Sequence, residues 1–276
     1  MTAPQQIDPE AFNALEREGW AAAASAYADS FNSLTTQAVG PLLDSIHVAR
    51  GVRLLDVACG PGWLSAAAAE RGARVVGLDI TPAMVAAAAR RYPHLEFREG
   101  SAEALPLDSQ RFDAVAMNFG LLHLGRPDQA LREASRVLMP GGRAGFTVWA
   151  TPDRAVGFGI LLNAVAAHGN GDVGLPVGPP FFRFSDPMEL ERALGDAGFS
   201  QVIVTELPLV WRLPSAERFF DAMMDGTVRT GALLHAQTPG ALTAIRSVVV
   251  EGVNRYRTGE GVQLPMPAVL ATGVKR

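Results

Sequence analysis

The 276-residue sequence contains one cysteine, Cys59, and one lysine, Lys275. A lone cysteine excludes an internal disulfide and a cysteine-rich metal centre, and such usage fits a reducing compartment. With no lysine near the glycine stretch at 58–62, the phosphate loop G-x-x-x-x-G-K-[ST] is excluded as well. Positive charge is not in excess, at 24 Lys+Arg against 28 Asp+Glu. No broad basic surface is left to displace counterions from a phosphate backbone, so nucleic acid is not an expected partner. Apolar runs stop short of membrane-spanning length, and the opening MTAPQQIDPEAF has neither the basic start nor the apolar core of a signal peptide. These absences predict a cytoplasmic chain without membrane insertion. His47, His94, His168 and His235 show no ligand spacing, so no metal is expected.

What is present is a hydrophobic content of 48%, enough for a substantial core, arranged with a clear rhythm. From Gly51 to Trp149, short β-branched runs alternate with alanine-rich helical runs, the pattern of βαβ units in a parallel sheet. Strands are expected at 53–58, 74–80, 95–100, 112–118 and 144–150, and helices at 63–72, 82–93 and 127–142. Thr81 and Pro82 read as N-cap and first helical residue; Gly72 and Gly141-Gly142 suit left-handed C-terminal positions. Beyond Trp149 an apolar helical piece leads into a glycine- and proline-rich stretch, which reads as a cap. A helix capped by Asp186, with Glu189 in capping-box position, precedes a strand at 201–207. A second insertion, about 214–261, holds helices near 216–226 and 242–257, and a last strand closes the chain at 266–276.

The glycine loop in LLDVACGPGWLS poses the functional question. Gly60-Pro61-Gly62 supplies half of a dinucleotide fingerprint, with Ser65 where its third glycine belongs, while Asp79 ends the second strand where an acid grips ribose. Asp56, read as an ionised carboxylate just before the loop, would repel a pyrophosphate and favour a ligand with positive groups. The segments DVACGPG at 56–62, GLDITPAMVAAA at 77–88, EGSAEALPLDSQRFDAV at 99–115 and EASRVLMPGGRAGFTVW at 133–149 occur in order at characteristic spacing. In them the chain resembles the class I S-adenosylmethionine-dependent methyltransferases, specifically the small-molecule group with the ubiquinone and menaquinone C-methyltransferases.

The resemblance implies an α/β, Rossmann-like, seven-stranded and mostly parallel sheet with helices on both faces and helical cap insertions. It implies S-adenosylmethionine as cofactor. Gly60 and Gly62, with Ala58, would let the backbone pass beneath the methionine part, and Asp56 would support its ammonium. Asp79 would take the ribose hydroxyls. Ile80 and Met84 would sandwich adenine, Ser101, Ala102 and Glu103 would surround its edge, and Asn118 would lie below the methionine chain. Ser101 stands where the family commonly has aspartate. Tyr27 belongs to an N-terminal helix that folds over the donor in similar enzymes; ordinary helix packing is its competing reading. His123, past the fourth strand, is the first candidate for a general base, against the plainer role of bonding a neighbouring carbonyl. Tyr27 and His123 are thus the catalytic candidates.

Four parts are expected: an N-terminal helical segment over residues 1–50, a donor-binding core over 51–149, a cap over 150–184, and 185–276 completing the sheet around the second insertion. Trp149, Phe158, Phe181, Phe182 and Phe220 crowd the caps and are expected to line an apolar acceptor pocket. An apolar, aromatic or polyketide-like small molecule is therefore the expected partner, and the chain a monomer or homodimer. The rival readings are a non-methylating cyclase and a ligand-binding regulatory protein on the same fold.

Overall fold

A computed structural model describes residues 7–276. Met1–Gln6 of the expected N-terminal segment lie outside the described residues. The chain opens with α1 (Pro9–Ser30), α2 (Asn32–Thr35) and α3 (Val39–Ser45). Asp8 caps α1 by accepting from the Ala11 amide, and Pro9 occupies its first turn, where a missing N–H costs nothing. The core then runs β1 (Arg53–Val57), α4 (Trp63–Glu70), β2 (Arg74–Asp79), α5 (Pro82–Arg91), β3 (Glu96–Glu99), β4 (Phe112–Asn118), α6 (Pro127–Val137) and β5 (Leu138–Trp149). There follow α7 (Val156–His168), α8 (Pro187–Asp196), β6 (Phe199–Leu207), β7 (Val210–Leu213), α9 (Ala216–Asp225), α10 (Arg229–His235), α11 (Pro239–Asn254), β8 (Arg257–Thr258), β9 (Gly261–Pro265) and β10 (Ala268–Lys275).

Seven strands form the main sheet in the order β3-β2-β1-β4-β5-β10-β6. The pairs from β3 to β5 are parallel, and β10 runs antiparallel between β5 and β6. Leu54, Leu55 and Val57 of β1 are buried, as befits a central strand covered on both faces, and α6 turns Ala130, Leu131, Ala134 and Val137 inward at helical spacing. Strand order reverses between β1 and β4. The loops leaving their C-terminal ends therefore diverge and open a crevice, the place where open α/β sheets bind ligands.

The sheet matches the expected α/β architecture, and several details correct the sequence reading. The helix expected over 127–142 ends at Val137, because Leu138 already begins β5 beside Phe112. Gly141 does take a left-handed φ of 76°, but within the irregular start of that strand. Thr81 stands at the N-cap of α5 without a side-chain capping bond; Asp79 accepts its amide instead. Glu189 forms no capping box, its carboxylate being held by Arg183 and Arg192. The second insertion contains α10, and a three-stranded sheet, β7-β9-β8, joins its two ends; neither is among the expected elements.

Candidate functional site

Two residues without glycine's freedom adopt left-handed backbone at the crevice: Ala58, just after β1, with φ 55°, and Phe119, just after β4, with φ 58°. Such conformations cost roughly 1–3 kcal/mol each and persist where surrounding structure enforces them. Phe119 is pinned by its amide, which donates to the carbonyl and hydroxyl of Thr147 on β5. Gly120 follows, and a Cβ there would stand 2.7 Å from the Ala58 Cβ, so the two strand ends approach closely.

Around this point lies a cavity with two adjoining lobes, spaces of about 940, 370 and 350 Å³ when the open solvent at their mouths is included. Ala58 borders all three spaces. One lobe is walled by Ile80, Ser101, Ala102 and Glu103, the other by Asp56, Gly60, Trp63 and Asn118. Tyr27, Asp79, Ile80, Met84, Asn118, His123, Trp149, Phe158 and Phe181 face the main cavity. The fold thus gathers most of the residues singled out from the sequence.

The glycine turn is held by Asp79. Its carboxylate accepts from the Gly60 amide at 2.9 Å and the Thr81 amide at 2.9 Å, and burial pushes its pKa up. Gly60 has φ 51°, and a Cβ on it would meet nothing within 4 Å, so the wall is open on that side. Gly62 is different: a Cβ would stand 2.9 Å from the Phe97 ring, and the residue does not border the cavity. Close packing and a φ of 86° are reasons of their own for glycine at this position.

Asp56 departs from its expected state. It is buried, accepts the Ser65 hydroxyl at 2.6 Å, and is pushed up to about 7, chiefly by desolvation. It is not the plainly ionised carboxylate that the sequence suggested, and Ser65, which replaces the third glycine, is its partner. Asn118 spends its side chain on the Thr35 carbonyl and the Thr147 hydroxyl, tying α2 to β5. Glu103 accepts from Asn13 of α1 at 2.9 Å and from the Arg126 amide at 2.8 Å, so it serves first as a latch for α1.

Tyr27 lies among Trp20, Phe31 and Trp63, its hydroxyl 3.4 Å from the Thr35 hydroxyl. Burial raises its pKa, and Asp79 adds to the rise. The phenol stays protonated at neutral pH and donates to Thr35, so any catalytic part it plays is as a hydrogen-bond donor. Phe220 is buried under the Arg246 guanidinium, and Phe182 backs Phe158 and Phe181 from behind; neither borders the cavity, against expectation. Both belong to cap packing.

His123 acquires a partner that the sequence reading missed. Its Nδ1 lies 3.0 Å from Oε2 of Glu16, a buried residue of α1, while Trp20 and Phe181 meet the imidazole edge to face. A sequence separation of 107 hides the pair, though Glu16 does fall on the same helix as Tyr27. Two buried oxygens on cavity-lining residues, Glu16 Oε1 and Thr81 Oγ1, have no hydrogen-bond partner among the described residues. Such orphans cost about 1–3 kcal/mol unless a ligand meets them. With the open glycine turn and the second lone pairs of Asp79, they form an acceptor set suited to a ligand that donates from hydroxyl and amino groups. S-adenosylmethionine fits that description. No grouping of His, Cys, Asp and Glu suited to a metal occurs among the described residues.

Comparison with known proteins agrees with this geometry. A family model for a methyltransferase domain matches residues 55–146. Demethylmenaquinone methyltransferase of Renibacterium salmoninarum is 34% identical over 170 residues, which cover 58% of this chain and 72% of that protein. The 2-phytyl-1,4-naphtoquinone methyltransferase of Thermosynechococcus vestitus is 38% identical over 116 residues, covering 40% of this chain and 52% of that one. The chain belongs to the class I S-adenosylmethionine-dependent methyltransferases, and its methyl donor is S-adenosylmethionine. The crystal structure of the YcgJ protein from Bacillus subtilis shares the fold, with a TM-score of 0.56 at 18% identity over 87% of this chain and 99% of that one.

Proposed function

We propose that the chain methylates an apolar, aromatic or polyketide-like small molecule at an atom that gives up a proton. The observation that carries this reading is the cavity itself. It runs unbroken from the glycine turn to a wall of Phe119, Trp149, Phe158 and Phe181, with the His123–Glu16 pair set into that wall. Phe119 and Trp149 stack at 4.1 Å between ring centroids, leaving a flat apolar face. The Renibacterium and Thermosynechococcus relatives act, by name, on naphthoquinone-type molecules, which suits such a face.

S-adenosylmethionine, when bound, supplies an already activated methyl group. The chain's work is alignment, exclusion of water and management of one proton. Asp79, Thr81 and the Gly60 turn would hold the nucleoside, with Ile80, Ser101 and Ala102 at the base. Asp56, Trp63 and Asn118 border the lobe for the amino-acid end, and Tyr27 closes over it from α1. Glu16 accepts from Nδ1–H of His123 and so fixes the tautomer whose Nε2 lone pair is free to take the acceptor's proton. Glu16 acts through the histidine and is a positioning residue.

The test is methyl transfer to naphthols, hydroquinones and histamine, followed by mass spectrometry. His123→Ala is expected to lower kcat about a hundredfold or more on the hydroxylated aromatics, in the range for a lost general base. Its affinity for S-adenosylhomocysteine should stay within twofold. Faster turnover of histamine than of any hydroxylated aromatic would overturn the acceptor reading, and an unchanged kcat in His123→Ala would remove the base.

A further inference from the structure

The described residues leave one cation of the cavity wall without a carboxylate. Arg229, at the start of α10, borders the cavity beside Thr230, and no acidic oxygen among them lies within ion-pairing distance of its guanidinium. Met1–Gln6 carry no acidic side chain that could supply one. One N–H group donates to the Pro179 carbonyl at 3.2 Å. The guanidinium carbon lies 5.1 Å from the Phe12 ring and 5.5 Å from the Phe181 ring, so aromatic faces hold it in place while its other donors stay uncommitted.

The surroundings make this costly without a counter-ion. The residue is partly buried, and desolvation depresses its pKa, with Glu16 pulling the other way. Glu16 does not neutralise it, being turned to His123. Elsewhere among the described residues the half-buried Arg183 takes Asp128 and Glu189, and Arg136 takes Glu133. Arg229 differs in having rings where these two have carboxylates. Its position also separates it from the donor. It borders the main cavity together with Phe181 but neither adjoining lobe, where the adenine and amino-acid ends of S-adenosylmethionine are assigned.

We infer that Arg229 is the anchor for an anionic group on the acceptor, a carboxylate or an acidic enol, carried by the apolar molecule that fills the rest of the cavity. A planar fork of donors suits a carboxylate bidentately, and the adjoining Phe181 suits the ring or chain that bears it. Thr230, on the same turn, adds a hydroxyl to the cavity wall. The inference rests on the acceptor reading above and adds to it a fixed orientation: the charge is gripped at Arg229, on the second insertion, and the reacting atom is presented toward His123.

Calorimetry with the protein saturated in S-adenosylhomocysteine tests it, using 1-hydroxy-2-naphthoate against 1-naphthol and decanoate against decanol. The wild-type chain is expected to bind the acid of a pair at least about tenfold more tightly than the neutral partner. Arg229→Gln should erase that ratio while leaving the affinity for 1-naphthol and for S-adenosylhomocysteine within twofold, and Arg229→Lys should keep part of it. Equal affinities within both pairs in the wild type overturn the proposal, whatever the variants do. So does an acid preference that survives Arg229→Gln. A preference for decanoate with no binding of either naphthalene upholds the anionic anchor and overturns the aromatic acceptor. Loss of S-adenosylhomocysteine binding in a folded Arg229→Gln protein would place Arg229 with the donor and overturn the inference.

Discussion

Asp56 shows how one buried carboxyl couples protonation to both folding and binding. Its ordinary value near 3.8 rises to about 7, first through desolvation, with the Asp79 charge adding to the rise and the Ser65 bonds opposing it. Below about 4 both folded and unfolded chains are protonated there. Between about 4 and about 7 the folded chain holds a proton that the unfolded chain has lost, so this group makes stability fall as pH rises, levelling off above 7. Asp79 is raised as well and slopes the same way, so the difference between wild type and Asp56→Asn isolates Asp56. Denaturant melts of the unliganded protein at several pH values should show a shallower slope for Asp56→Asn; identical slopes would mean that Asp56 is not protonated in the folded chain. A ligand ammonium in the Asp56 lobe favours the carboxylate. Titration of S-adenosylhomocysteine near pH 6.5, in buffers of different ionisation enthalpy, should accordingly report proton release that Asp56→Asn abolishes.

Helix α1 lines the main cavity and both lobes, and polar bonds reinforce its apolar packing. Asn13 donates to Glu103 and accepts from the Gly125 amide, Glu103 also takes the Arg126 amide, and Arg126 pairs with Glu10. Glu103→Ala strips two donors of their partner in a buried setting and should cost about 1–3 kcal/mol. Hydrogen exchange over Pro9–Ser30 should then accelerate, and S-adenosylhomocysteine should dissociate faster; unchanged exchange in α1 would show that apolar packing alone holds it. This attachment also marks where sequence reading stops. Strands β1 to β5 were legible because β-branched runs, helix caps and glycine turns are local signals. So were Asp79, Gly60 and Ile80, which sit at fixed distances from those signals. Glu16 was not, because nothing on an amphipathic helix distinguishes a carboxylate aimed at a distant imidazole from one facing solvent. Phe182 and Phe220 failed for a related reason: aromatic content locates a cap, while which ring faces the cavity depends on how the cap loop packs on α7 for Phe182 and how α9 packs on α11 for Phe220. The small β7-β9-β8 sheet was hidden because its strands are short and β9 pairs across the intervening helices.

Three separate stretches of chain meet over the cavity: α1, the cap that carries Phe158 and Phe181, and the turn Gly226–Thr230 of the second insertion. Their junction is tight. A Cβ on Gly19 of α1 would stand 2.3 Å from Cγ1 of Val228, and one on Gly178 of the cap would stand 2.2 Å from the Phe12 ring. Glycine is required at these positions by close approach, and Val228 precedes Arg229, so any displacement there moves the cation as well. Gly240, near the start of α11, offers a contrast, since a Cβ there meets nothing within 4 Å. Gly240→Ala should be neutral or stabilise by up to about 1 kcal/mol, the helix-propensity gain. Gly19→Val should instead force α1 from the second insertion, with a cost of about 1–3 kcal/mol for overpacking. Residues of α1 line the main cavity and both lobes, so on the proposed placement of donor and acceptor Gly19→Val should weaken S-adenosylhomocysteine binding and raise acceptor KM together, whereas Phe181→Ala, on the proposed acceptor side, should raise KM alone. Calorimetry with S-adenosylhomocysteine and initial rates on a hydroxylated naphthalene separate these outcomes. If Gly19→Val changes KM but not donor affinity, α1 does not cover the donor, and the two spaces are gated independently.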